Sequence, residues 1–129
     1  MIYSTTLPAQ AVGAADTITL IGAYSPAFYS GDTVTDVEIV APIGYPAVTG
    51  AATNNVTFTV RHLRAGTVQA TFASLTTTTG VTLSAEAPVS VPITTQPILM
   101  PGDVIDVQMH QNSSGQAIPA GLLLSVYIS

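Results

Sequence analysis

The chain has no cysteine, no tryptophan and no lysine; Arg61 and Arg64 are its only fixed side-chain cations. Without cysteine there are no disulfides and no thiolate metal sites, and nothing identifies the redox compartment. Two cations cannot neutralise a run of phosphates, which sets nucleic-acid binding aside. Charge of either sign is scarce: 7% of the 129 residues are charged, where a globular domain carries about 25%. The seven carboxylates, Asp16, Asp32, Asp36, Glu38, Glu86, Asp103 and Asp106, leave a net charge of −5. Long apolar runs are missing too. The clusters around Ile18–Ala23 and Gly121–Leu124 fall well short of the roughly 20 residues a membrane-spanning helix needs. The first ten residues, MIYSTTLPAQ, have no basic residue and no apolar core of signal-peptide length, so a soluble chain without an export signal is expected. A mean hydropathy of +0.50 exceeds what a soluble monomer requires, and surplus apolar surface is normally covered in an interface. A stable oligomer follows as an expectation.

What is abundant is threonine, valine and alternation. Asn55 to Arg64 (NVTFTVRHLR) puts Val56, Phe58 and Val60 on one face and Thr57, Thr59 and Arg61 on the other. Ala65-Gly66 makes a turn, and TVQATFASL returns with Val68, Ala70 and Phe72 inward. Asp16 to Tyr24 sets Ile18 and Leu20 against Thr17, Thr19 and Ile21. In VTDVEIVAP, Val37 and Ile39 face in while Asp36 and Glu38 face out. GVTLSAEAP and VSVPITT read as two short strands, held to edges by Pro88, Pro92 and Pro97. Pro101 to Ser129 reads as a closing pair: Ile105, Val107 and Met109 share one face of the first strand, and Leu122, Leu124, Val126 and Ile128 share one face of the second. Helix formers are few and no apolar period of 3.6 persists. About eight short strands divided by Gly and Pro predict an all-β, single-domain antiparallel β-sandwich of jelly-roll type. Residues 1–15 are expected as an N-terminal arm, with room for a strand at Ile2–Leu7, and residues 16–129 as the sandwich.

Reactive residues do not assemble in the sequence. Asp106 and His110 share a strand face but stand about 13 Å apart, too far for one metal. His62 falls on the core side of its strand by parity. Asp36 and Glu38 are outward alternates of one strand, not a calcium loop or a glycosidase pair. There is no GxSxG, no phosphate-binding loop and no dinucleotide fingerprint. No catalytic residue, metal ligand or cofactor is therefore assigned. The long loop Ile43–Asn55 carries Tyr45 as its one large side chain; with Tyr24, Phe28 and Tyr29 it could build a sugar platform or a subunit contact. Ile2, Tyr3 and Leu7 on the arm, Tyr45, and Leu123 and Tyr127 opposite the core face of the last strand are the candidate interface. Leu123 and Tyr127 could line a three-fold axis with Val40 or Ile21.

Two segments carry a family resemblance. Val48 to Leu75 (VTGAATNNVTFTVRHLRAGTVQATFASL) has a GAATN lead-in, a strand, a Gly-containing turn and an alternating return strand. Pro101 to Ser129 has GD opening one strand, then a polar Gly-containing loop and P-x-G opening the last. In this order and spacing they resemble tailed-bacteriophage capsid decoration (cement) proteins and related small jelly-roll virion proteins. The resemblance implies a structural, non-enzymatic protein, a homotrimer bound to the major capsid protein. It would sit on the outside of an assembled head built in the host cytoplasm, with no nucleic-acid or membrane partner. A carbohydrate- or receptor-binding module of a head or tail fibre is the alternative, and would use the loops Ser25–Thr33 or Ile43–Asn55.

Overall fold

Where β-branched and apolar residues alternate with polar ones, the chain extends into strands, nine of them among the described residues. A computed structural model describes residues 1–24 and 32–129. The strands are β1 (Ile2–Thr6), β2 (Thr17–Tyr24), β3 (Asp32–Val40), β4 (Asn55–Arg64), β5 (Thr67–Thr76), β6 (Val89–Ser90), β7 (Ile98–Leu99), β8 (Asp103–Asn112) and β9 (Leu123–Ile128). Among the described residues there is no helix. Two antiparallel sheets form. The first runs β1-β9-β3-β6, with β7 also on β3, and the second runs β2-β8-β4-β5. Because β6 and β7 both pair with β3, they are two pieces of one strand, and the eight-strand order that results is that of a jelly roll.

The core lies between the sheets and is built from the inward alternates. Val56, Phe58 and Val60 of β4 meet Ile105, Val107 and Met109 of β8 and Leu124, Val126 and Ile128 of β9, all buried. Val37 and Ile39 complete the inner face of β3, while Asp36 and Glu38 point out, as the alternation requires. The residues read as an arm begin with β1, which pairs with β9 from Ile2↔Tyr127 to Thr6↔Leu123. Leu7 follows into the core, and its amide donates to the Leu122 carbonyl at 2.7 Å.

Three expectations need correction. The closing pair is not a hairpin. β8 lies between β2 and β4, whereas β9 lies between β1 and β3 in the other sheet, so the two face each other across the core. A period of two gives each strand an inner face but cannot name its hydrogen-bonded neighbour. Second, Val68 is exposed, not inward. Bulges between Val60 and Arg61 and between His62 and Leu63 shift the β4–β5 register, and each added residue reverses the alternation. Third, Ile18 and Leu20 are the outward alternates of β2, so parity alone puts Ile21 in the core and it cannot line an outer axis; the bulge between Leu20 and Gly22 then turns Tyr24 inward as well. The regions GVTLSAEAP and VSVPITT are also less regular than expected. Only Val89–Ser90 is a strand, and Leu83 and Ala85 make isolated bridges to Val48 and Ala41.

The break between β6 and β7 has a structural use. Pro92 and Pro97 cannot donate to a ladder. Between them the chain leaves β3 and reaches the free edge of β5, where Ile93 bridges Ala73 and Thr94 N donates to Phe72 O at 2.8 Å. The segment thus ties the β3 edge of one sheet to the β5 edge of the other. Gly50 sits where residues 48–51 press on the turn at 78–81. A Cβ there would overlap the backbone carbonyls of Thr78 and Val81.

Candidate functional site

Polar side chains collect at the two ends of the sandwich, and the strands fix which ones meet. At one end Gln10, Gln111 and Gln116 interlock. Gln111 Nε2 donates to Gln10 Oε1 at 2.8 Å and to Gln116 O at 2.9 Å, and Gln10 Nε2 donates to Met109 O at 2.9 Å. These bonds satisfy buried amides and hold the loops before β2 and after β8 together. Nothing in this network is nucleophilic or ionised.

At the other end, about 30 Å away along β8, the buried charge is concentrated. Asp103 is fully buried at the start of β8. Its carboxylate accepts two bonds from Arg64, at 2.8 and 2.9 Å, and one from Met100 N at 2.9 Å. The Arg64 bonds hold it below the usual carboxylate range against the opposing effect of burial. His62, on the inner face of β4 as parity predicts, has Nε2 3.4 Å from Asp103 Oδ2. Neither ring nitrogen has a hydrogen-bond partner. Burial lowers its pKa, and Arg64 adds to that; the Asp103 charge opposes. Nearby, the hydroxyl of buried Tyr24 donates to Asp32 Oδ2 at 2.6 Å, and burial raises its pKa to about 12. This is a network of mutually satisfied charges plus one stranded imidazole. Among the described residues no three His, Asp or Glu side chains converge as metal ligands. Asp106 and His110 are engaged separately: Asp106 takes a bidentate pair from Arg61 at 2.8 Å, and His110 Nδ1 lies 2.6 Å from Asp16 Oδ1.

The outer faces of the sheets are more informative than the ends. On the first sheet, register sets Ile2, Tyr127 and Asp36 in one row, Ser4, Ser125 and Glu38 in the next, and Thr6, Leu123 and Val40 in the third. Ile2 and Leu123 are exposed, and Tyr127 and Val40 half-buried. Of the remaining candidate interface residues, Tyr3 lies at the seam between the sheets, where its ring covers Gly22 at 3.1 Å from a would-be Cβ. Leu7 and Tyr45, 1% and 7% exposed, sit in the chain's own core, and the Tyr45 hydroxyl donates to Pro119 O at 2.6 Å. Tyr24 and Tyr45 occupy opposite ends of β3, about 26 Å apart by strand rise, so they do not form one platform; Phe28 and Tyr29 lie outside the described residues.

On the second sheet the outward rows are Ile18–Gln108–Thr59–Ser74, Leu20–Asp106–Arg61–Thr71 and Ala23–Val104–Leu63–Val68. Ile18 and Leu20 are 56% and 62% exposed. The sequence already put these two on a single face. It gave no sign that the face was the outer one, because an apolar pair on an alternating strand reads as core.

No family model matches the chain, and no curated protein does. Among solved structures, a chain from the structure of infectious bursal disease virus, Gx strain, aligns with 98% of this chain and 31% of its own length, at 10% identity and a TM-score of 0.41. This chain therefore spans about a third of that viral chain. Similarity at that level carries no weight for function. The jelly-roll assignment rests on strand order.

Proposed function

We propose that the chain is a structural virion protein that binds the outside of an assembled phage capsid and stabilises it, as a decoration or cement protein. What carries the proposal is the outer face of the first sheet. Exposed Ile2 and Leu123, with Tyr127 and Val40, surround Asp36 and Glu38 and lie on an otherwise well-packed jelly roll. The apolar members gain by leaving water, at about 25 cal/mol per Å². The two carboxylates favour a partner with basic groups. The resemblance of Val48–Leu75 and Pro101–Ser129 to capsid decoration proteins points the same way.

The proposed contact residues are Ile2, Leu123 and Tyr127 toward the major capsid protein, with Tyr3 supporting the strand from the seam. Binding only the assembled shell stabilises that state by mass action, and repetition over many sites multiplies a modest single-site affinity. No catalytic step or cofactor enters the proposal, and the chain would act as a homotrimer at the capsid exterior after assembly in the host cytoplasm. The carbohydrate-binding alternative draws no support from the Ile43–Asn55 loop, because its one aromatic ring, Tyr45, is buried. Co-sedimentation with heads of the encoding phage tests the proposal. Binding that Leu123→Glu weakens at least tenfold is expected, and a chain that stays in the supernatant at every concentration would contradict it.

A further inference from the structure

The chain carries net negative charge and has spent both guanidiniums internally, Arg61 on Asp106 and Arg64 on Asp103. Among the described residues Asp36, Glu38 and Glu86 have no cationic partner. Two of these carboxylates stand on the outer face of the first sheet, so two copies meeting there would set like charges together without a cation to relieve them. The outer face of the second sheet differs. Its central charges, Arg61 and Asp106, neutralise each other through two 2.8 Å bonds, and Asp16 at its margin lies against His110. Around that neutral centre the apolar side chains fall at opposite edges: Ile18 and Leu20 on β2, and Leu63 and Val68 at the β4–β5 tip.

The edge itself is lightly guarded. Proteins protect an edge strand with lysine, proline, an inward charge or a bulge. From Thr17 to Tyr24 β2 has only the bulge at Leu20/Gly22. Its backbone pairs with β8 on one side, and on the other it makes no backbone hydrogen bond to β1 among the described residues. Four strands of about eight residues present a face of roughly 19 by 27 Å. In projection that is about 500 Å², before side-chain relief, approaching the ~800 Å² each partner contributes to a standard interface.

From these observations, and resting on the proposed assembling virion protein, we infer that a second copy of this chain docks on the outer face of the β2-β8-β4-β5 sheet. The faces pack so that Ile18 and Leu20 at the β2 margin of one copy cover Leu63 and Val68 at the β4–β5 margin of the next. A contact that joins two different patches is heterologous, and with a 120° rotation between copies it closes into a trimeric ring. The acidic face of the first sheet is then left free for the capsid.

The test is the mass of the purified full chain by light scattering across about 1 to 100 µM, spanning micromolar dissociation constants, for wild type, Leu20→Glu, Val68→Glu and Leu123→Glu. The wild type is expected as an oligomer. Leu20→Glu and Val68→Glu should each weaken association at least tenfold with unchanged circular dichroism, and Leu123→Glu should leave it intact. Amide hydrogen exchange in Thr17–Tyr24 of the wild type should slow as concentration rises, a readout that needs no variant. A wild-type monomer throughout overturns the inference together with the trimer. An oligomer that Leu20→Glu and Val68→Glu leave intact, or that only Leu123→Glu dissociates, overturns the inference alone, as does concentration-independent exchange in β2. Binding to heads is scored separately, so failure there with the self-contact present removes the capsid proposal and not the oligomer.

Discussion

Replacing His62 by leucine, a side chain close to it in volume, should stabilise the protein. The imidazole is buried on the inner face of β4, and both its nitrogens lack a hydrogen-bond partner. A buried polar group without a partner costs about 1–3 kcal/mol. Leucine removes that cost, keeps the packing, and leaves Asp103 its bonds from Arg64 and Met100. The expected gain at pH 7.5 is about 1–2 kcal/mol. The same residue should make the fold sensitive to mild acid. Burial lowers the folded-state pKa of His62 below its ordinary 6.5, so the unfolded chain takes up a proton before the folded one does. Stability is fully present above the unfolded value and falls as pH drops below it, by at most about 1.4 kcal/mol per pH unit, until the folded-state value is reached. Asp103 acts in a separate window: its lowered pKa contributes stability above the ordinary carboxylate value and loses it only as pH falls further. Urea unfolding of wild type and His62→Leu at pH 7.5, 6.0 and 5.0 reads both effects. The gap between the two proteins should widen on acidification. A variant less stable than wild type at pH 7.5, or a gap that does not change with pH, would show that the imidazole is satisfied after all.

Other outcomes follow from the packing. Phe58→Ala, at the centre of the two-sheet core, should cost about 3–5 kcal/mol in chemical unfolding, a large fraction of the roughly 5–15 kcal/mol that holds a domain together. Gly50→Ala should cost about 2 kcal/mol or more although the site lies in a loop, because the added Cβ meets backbone carbonyls that no rotamer change can move; a neutral result would mean that the 78–81 turn yields. In a spectrophotometric titration, two of the five tyrosines should ionise late, since burial pushes Tyr24 and Tyr45 up to about 12. A raised folded-state pKa contributes stability that is present below 10 and lost toward 12, so alkaline unfolding should accompany that late phase.

The inner faces of β3, β4, β8 and β9 could be read from sequence because clean alternation over six to ten residues leaves one choice of core side. What could not be read has a common physical origin. A bulge adds one residue without any compositional mark, and it reverses every side chain after it; Val68 was misassigned in this way, whereas Ile21 was misassigned because the apolar pair Ile18 and Leu20 marked the wrong side of β2 as core. Sheet membership is set by long-range pairing, so β8 and β9 looked like a hairpin although each hydrogen-bonds to strands far away in sequence. The same ambiguity hid the outer apolar pair Ile18 and Leu20, since hydrophobicity marks the side that leaves water and cannot say whether the chain's own core or another subunit covers it. Leu7 and Tyr45 show the converse: isolated apolar residues between loop signals looked available for a partner, and the fold buries them. Asp106 and His110 stand apart by strand rise alone, and each has its own local partner, Arg61 and Asp16.

DNA retention by heads of the encoding phage brings these threads to one number. Heads lacking the chain should release their DNA at a lower temperature than complete heads, and adding back the purified protein should restore the difference, whereas Leu123→Glu should not. Identical release temperatures with and without the chain would contradict a stabilising role on the capsid.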